Sequence, residues 1–207
     1  MSINLTKGQK ISLEKESGSK LSKITMGLGW DAVKTSKSEA PKKGFLSSLF
    51  GGNTSSEADD SIDLDASCVM FDVNKNIVDT VWFRQLVSND GSVIHTGDNR
   101  TGSSDGDDEQ INVDLARVPQ SVNTLFFVVN SFTGQNFSQV ANAYCRIVDA
   151  DTNKEIAKYD LSCQGNHTAM AMTKIYRHNG DWKMHAIGEN GSGATFEKLM
   201  PLMQNYL

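Results

Sequence analysis

Along much of this chain apolar and polar residues alternate one for one, and Gly, Asn, Asp and Ser break the alternation at short intervals. Residues 11–13, 21–26, 62–66 running into 68–71, 77–83, 92–95, 110–115, 123–130, 143–148, 155–161, 169–177 and 182–187 all read this way. A period of two sends successive side chains to opposite faces of a strand, so about ten strands with one buried face are expected. Strands that follow one another through turns favour antiparallel pairing and a two-sheet sandwich. The stretch Phe126-Phe-Val-Val129 is apolar on both faces and suits a central strand. A different period governs the end of the chain. Phe196, Leu199, Met200, Met203 and Tyr206 share one face of a helix. Thr195 is placed to cap that helix, Glu197 suits its first turn, and Pro201 should kink or tighten it. The fold class is therefore mainly β: a two-sheet antiparallel β-sandwich with a C-terminal helix, one domain over residues 1–207.

Residues 34–60 depart from this rhythm. Ser, Gly and charged residues dominate them, as in a flexible insertion. Within them lies Lys42-Lys43-Gly-Phe45-Leu46-Ser-Ser-Leu49-Phe50. Two cations ahead of four apolar side chains suit a peripheral membrane contact or a partner's groove. The plainer expectation is a loop whose apolar residues fold back on the body.

Composition bounds the class. The chain has 207 residues, 38% hydrophobic and 22% charged, enough apolar material for one core. It contains no apolar run long enough to span a bilayer and no basic start followed by an apolar stretch, so a cytoplasmic location is expected. Cys68, Cys145 and Cys163 are far apart without a Cys-x-x-Cys, which favours buried thiols over zinc. The net charge of −5 is unevenly spread: residues 1–50 carry nine Lys against four acids, residues 51–109 three bases against thirteen acids, and residues 110–207 eight of each. A nucleic-acid binder would show the opposite bias, so no nucleic-acid partner is expected.

The acids gather in two stretches, Asp59-Asp60-Ser-Ile-Asp63-Leu-Asp65 and Gly97-Asp98-Asn-Arg-Thr101-Gly-Ser-Ser-Asp105-Gly-Asp107-Asp108-Glu109, with Asp31 isolated after Gly29-Trp30. Two carboxylates at ~4 Å repel by about 4 kcal/mol at an effective dielectric near 20, so such a cluster either splays into water or holds a cation. The glycines permit tight turns, and Asn99, Thr101 and the carbonyl of Gly106 add neutral oxygens. Many hard oxygens without His or Cys inside the loop suit calcium rather than zinc or copper. The spacing is not that of an EF-hand, because Arg100 falls at the third loop position and Ser103 at the sixth, where Gly belongs. In the first stretch Asp63 and Asp65 share one strand face, while Ile62, Leu64 and Ala66 turn toward the core. The two stretches hold more carboxylates than one ion needs, which suits two ions. The bland alternative is a solvated acidic loop.

These motifs resemble the TerD family. Gly27-Leu-Gly-Trp-Asp31, Ile62-Asp-Leu-Asp-Ala-Ser67, His95-Thr-Gly-Asp-Asn-Arg-Thr-Gly102 and Asp105-Gly-Asp-Asp-Glu109 carry the likeness, and Leu115-x-x-Val-Pro119, Ala143-Tyr-x-Arg146, Tyr176-Arg177 and Trp182-Lys-x-x-Ala-Ile-Gly188 continue it in order. The resemblance implies a calcium-binding β-sandwich with tandem metal sites, associated with bacterial tellurite resistance and stress tolerance. It implies Asp31, Asp63, Asp65, Asp98, Asp105, Asp107, Asp108 and Glu109 as carboxylate ligands. It also implies partners among other proteins of the tellurite and stress-response system. Ser103-Ser104 stand where the family usually has Gly, so the local turn differs.

The remaining chemistry is sparse. No Gly-x-Ser-x-Gly, phosphate-binding loop or dinucleotide fingerprint occurs, and a non-enzymatic protein is expected. The opposed reading is a metal-dependent phosphoester or nucleotide hydrolase using the acidic cluster. His95 is placed to orient a carboxylate. His167, His178 and His185 read as structural, and Trp30, Trp82 and Trp182 as packing residues.

Overall fold

The computed structural model describes residues 2–18, 20–32, 63–97, 106–161 and 165–207. Two six-stranded sheets face each other. In chain order the elements are β1 (Ile3–Asn4), β2 (Lys10–Ser12), α1 (Leu13–Ser17), β3 (Lys23–Ala32), β4 (Leu64–Asp72), β5 (Ile77–Val81), β6 (Val93–His95), β7 (Glu109–Asp114), β8 (Val122–Ser131), β9 (Val140–Asp149), β10 (Lys154–Asp160), β11 (Ala169–His178), β12 (Asp181–Gly191) and α2 (Met200–Gln204). The first sheet runs β1-β10-β9-β3-β7-β6 and the second β2-β12-β11-β8-β4-β5. Every pairing is antiparallel except the two-residue β1 against β10. The alternating pattern thus produces the expected sandwich. The segments read as 62–66 and 68–71 merge into one strand, β4.

The inter-sheet core takes one side chain in two from each strand: Leu28 from β3, Cys68 from β4, Phe127 from β8, Ile147 from β9 and Ile175 from β11, all fully or almost fully buried. The second sheet buries its other face as well. There Val69, Phe71, Phe126, Val128 and Ile187 pack against Phe196, Leu199 and Met203 of the C-terminal segment. This double burial explains why residues 126–129 are apolar throughout: Phe127 and Val129 face the first sheet, whereas Phe126 and Val128 face the helix. Burying each of the three helical anchors contributes roughly 1.5–3 kcal/mol of apolar transfer energy.

The closing helix differs in detail from its sequence pattern. It begins as a 3-10 turn, Phe196–Leu199, and becomes α-helical only over Met200–Gln204. Pro201 falls in the first turn of the α segment, where its missing N–H would have had no intrahelical partner, so it starts the helix rather than kinking it. Thr195 makes no side-chain capping bond; its hydroxyl donates to Glu197 Oε2 at 2.8 Å. Near the start of the chain Leu13, read as the end of a strand, begins a helix instead. Ser12 Oγ accepts the N–H of Lys15, and Gly18, at φ 77°, closes α1 in a left-handed conformation.

Among the described residues no helix is long and apolar enough to cross a membrane. The insertion expected at residues 34–60, with its Lys42-to-Phe50 segment, lies outside them, as does Cys163. Cys68 and Cys145 are buried free thiols.

Candidate metal centre

The acidic stretches meet where β3 ends and where β4 and β7 begin. Within this rim β7 pairs with β3 as far as Leu28 opposite Glu109. Past that point the ladder continues by substitution. The Asp108 N–H donates to Leu28 O at 2.8 Å, and the Asp108 carboxylate then accepts the Trp30 N–H at 2.8 Å. A side chain thus supplies the acceptor that a further strand residue would have offered. Gly106, at φ 115°, provides the turn that lets the chain leave the sheet here.

The three consecutive acids face different surroundings. Asp107 lies on the outer face of the first sheet, over Gly27, where a Cβ would come within 2.1 Å of its Oδ2. Gly27 has Gln110 opposite on β7 and Arg146 opposite on β9. Arg146 Nε donates to Asp107 Oδ1 at 2.7 Å and Nη2 to Oδ2 at 3.1 Å, a two-pronged grip. Tyr144 Oη and Gln110 Nε2 each add a bond at 3.1 Å. Gly29 makes room for the Tyr144 ring, which would lie 2.5 Å from a Cβ there. Gly27-Leu-Gly29 therefore forms a trough, its single Leu turned into the core. Burial and then the Asp107 charge push the Tyr144 phenol up to about 12, and the bond to Asp107 raises Arg146 further. Arg146 also reaches Glu155 at 3.2 Å.

Glu109 turns the other way, into the space between the sheets, and is 1% exposed. Its Oε2 accepts the Ala66 N–H at 2.6 Å, tying β7 of one sheet to the start of β4 in the other. β4 is open to this approach because β5 pairs with it only from Cys68 onward. His95 of β6 is buried alongside, with Nε2 3.3 Å from Glu109 Oε2. His95 Nδ1 accepts the Gly97 N–H at 3.1 Å, which turns Nε2 toward Glu109. The expectation that His95 serves a carboxylate matches this placement.

Asp65 is buried on the outer face of β4, opposite Asn130 of β8, while Leu64 and Ala66 enter the core. Asp63 is half-buried just ahead of that strand. Asp31 is exposed at the end of β3 and accepts a bond from Asn142 Nδ2 at 2.7 Å. The structure thus brings Asp31, Asp63, Asp65, Asp108 and Glu109 to one rim, and it places Asp107 on a guanidinium outside it. Asp98, Asn99, Thr101 and Asp105 lie outside the described residues. Among the described residues no three His, Cys, Asp or Glu side chains are grouped closely enough to hold a metal alone. In donor chemistry the rim fits calcium: its acids offer hard oxygens, and backbone N–H groups orient the carboxylates of Asp108 and Glu109. The sequence gives Arg146, Tyr144 and Gln110 no expected role, although Tyr144 and Arg146 stand in the motif Ala143-Tyr-x-Arg146. The available signal was the one-residue gap between Tyr144 and Arg146, which puts both on the outer strand face beside two glycines.

Comparison with known proteins agrees with this architecture. The family model for the TerD domain matches residues 1–206. Tellurium resistance protein TerZ of Serratia marcescens is 50% identical over 197 residues, covering 95% of this chain and 94% of that protein. General stress protein 16U of Bacillus subtilis is 38% identical over 201 residues, 93% of each chain. Among solved structures, a Streptomyces coelicolor homologue of telluride resistance protein TerD, SCO6318, superposes with a TM-score of 0.61 at 17% identity, over 84% of this chain and 92% of that one. The protein SAV2460, of unknown function, gives 0.63 at 20% identity over 87% and 96%. A match over nearly the whole length, relatives this similar and a shared sandwich place the chain in the TerD domain family.

Proposed function

We propose that this protein is a non-enzymatic calcium-binding module of the tellurium-resistance and stress-response type, whose acidic rim takes up the cation and then presents an ordered surface to another protein. The observation that carries this reading is the burial of Asp65, Asp108 and Glu109 at one rim. Beyond the groups that already meet these carboxylates, a divalent cation with oxygen ligands would balance so dense a gathering of negative charge. Asp63, Asp65, Asp108 and Glu109 would hold the ion or ions with oxygens of the 98–105 segment, and Asp31 would join at the exposed side. Asp107 would instead anchor the base of the loop through Arg146. The bound cation supplies charge neutralisation and loop ordering; bond-breaking chemistry is not asked of it. The relatives support this assignment by being named for resistance and stress response rather than for a reaction.

Calorimetric titration with calcium against magnesium tests the proposal. Calcium should bind saturably and raise the melting temperature, with a stabilisation of about 2.7 kcal/mol at a hundredfold excess over Kd. No heat and no change in melting temperature with calcium would refute it.

A further inference from the structure

The end of the second sheet remote from the carboxylates carries cations on its outer face. Ile11, Met184 and Ile175 point into the inter-sheet core, so their neighbours along β2, β12 and β11 point outward. Strand register aligns those neighbours in two ranks. Lys10 lies opposite His185, which lies opposite Lys174; Ser12 lies opposite Lys183, which lies opposite Tyr176. Lys15 of α1 and His178 approach the same ground, and with Lys10, Ser12, Tyr176 and Lys183 they line a cleft of about 440 Å³.

Burial and the flanking Lys10 and Lys174 push His185 down to about 4, and Lys174 is lowered too, by burial and then by Lys10 and Lys75. Among the described residues Lys10, Lys15 and Lys183 make no ion pair with a carboxylate. Lys174 donates to the Tyr206 carbonyl and lies 4.8 Å from the Tyr176 ring centre. Glu16 and Asp181 also line the cleft, and Asp181 lies against Glu14. Cations outnumber acids on this face in a chain whose net charge is −5.

We propose that this face binds a compact polyphosphate, either inorganic or the phosphate tail of a nucleotide. Lys10 and Lys183, which both line the cleft, sit on adjacent strands in different ranks, roughly 8 Å apart, whereas Lys174 and His185 lie under Tyr206 outside it. That spacing spans two or three linked phosphates better than one. The lysines supply point charges, the hydroxyls of Ser12 and Tyr176 supply directed donors, and the Tyr176 ring offers a face for a base. Seven residue steps along β11, about 23 Å, separate Tyr176 from Ala169 at the rim end, so this site is distinct from the acidic rim. It does not depend on calcium.

Calorimetry of the full chain in calcium-free, phosphate-free buffer tests the site, with tripolyphosphate, ATP and citrate as probes. Tripolyphosphate should bind saturably, more weakly as salt rises, and citrate far less well. The Lys10→Gln/Lys183→Gln double variant should keep its melting temperature and lose roughly tenfold or more in affinity. ATP binding tighter than tripolyphosphate would identify a nucleotide tail, and equal affinities an inorganic ligand. Absence of heat with both, equal binding of citrate, or unchanged affinity in the double variant would overturn the proposal.

Discussion

Asp107 and Glu109 stand two residues apart in one acidic run, yet the fold treats them as opposites. Asp107 is drawn outward over the Gly27 trough and gripped by Arg146, Tyr144 and Gln110. Glu109 is drawn inward between the sheets, where a backbone N–H and an imidazole meet it. A fixed guanidinium cancels the first charge and makes that carboxylate an anchor. The second accepts a backbone N–H beside the His95 imidazole, the placement on which the proposed cation site draws. Acidity along a chain thus marks neither role; the partner reached across the sheet decides between them.

The largest effect should come from removing the anchor's counter-ion. Arg146→Met leaves Asp107, with its side chain 1% exposed, without its guanidinium. A loss of about 3 kcal/mol is expected, or a fall in Tm of roughly 10 °C. Adding Asp107→Asn should restore part of that stability, and a thermal melt of the three proteins checks both outcomes. Gly27→Ala comes next. Its methyl group would overlap the Asp107 carboxylate at 2.1 Å and force the Arg146 grip apart, for about 1–3 kcal/mol in the same assay.

Glu109→Gln should change stability less, since the amide oxygen can still accept the Ala66 N–H. It should nevertheless abolish the rise in Tm produced by calcium, whereas Gln110→Ala, on the Asp107 side, should retain it. If both variants lose the calcium response equally, the division of roles between the two carboxylates fails.

The smallest effect concerns pH and tests the remote, basic end against the acidic one. Folding lowers the His185 pKa to about 4 from 6.5, so the unfolded chain takes up the proton more readily. Stability from this group is therefore fully present above pH 6.5 and is lost as pH falls toward 4. His185→Gln should flatten the Tm profile across that window in buffers free of polyvalent anions.

Much of the scaffold was legible because strand alternation is a local property. Residues 110–115 and 169–177 announce half-buried strands by composition alone, and the period of Phe196, Leu199 and Met203 announces the covering helix. What escaped were features set by partners distant in sequence. Residues 126–129 read as a central strand, but nothing in them says that a C-terminal helix covers one face. The parallel β1 depends on a partner more than 150 residues away. At the acidic rim the acids were visible as a charge run, and His95 was visible as their neighbour. Arg146 was not, because the pairing that brings it over Gly27 joins β3 to β9 across the sheet.

The sequence by itself determined the class of this protein, through its periodicity of two, and its chemical bias, through an excess of carboxylates set among glycines. Only the tertiary structure decided which of those carboxylates is gripped by a guanidinium and which is buried between the sheets. It also decided that Lys10, His185 and Lys174 stand in one rank. Periodicity is carried by neighbours along the chain, whereas charge compensation depends on distance in space, and strand pairing sets that distance.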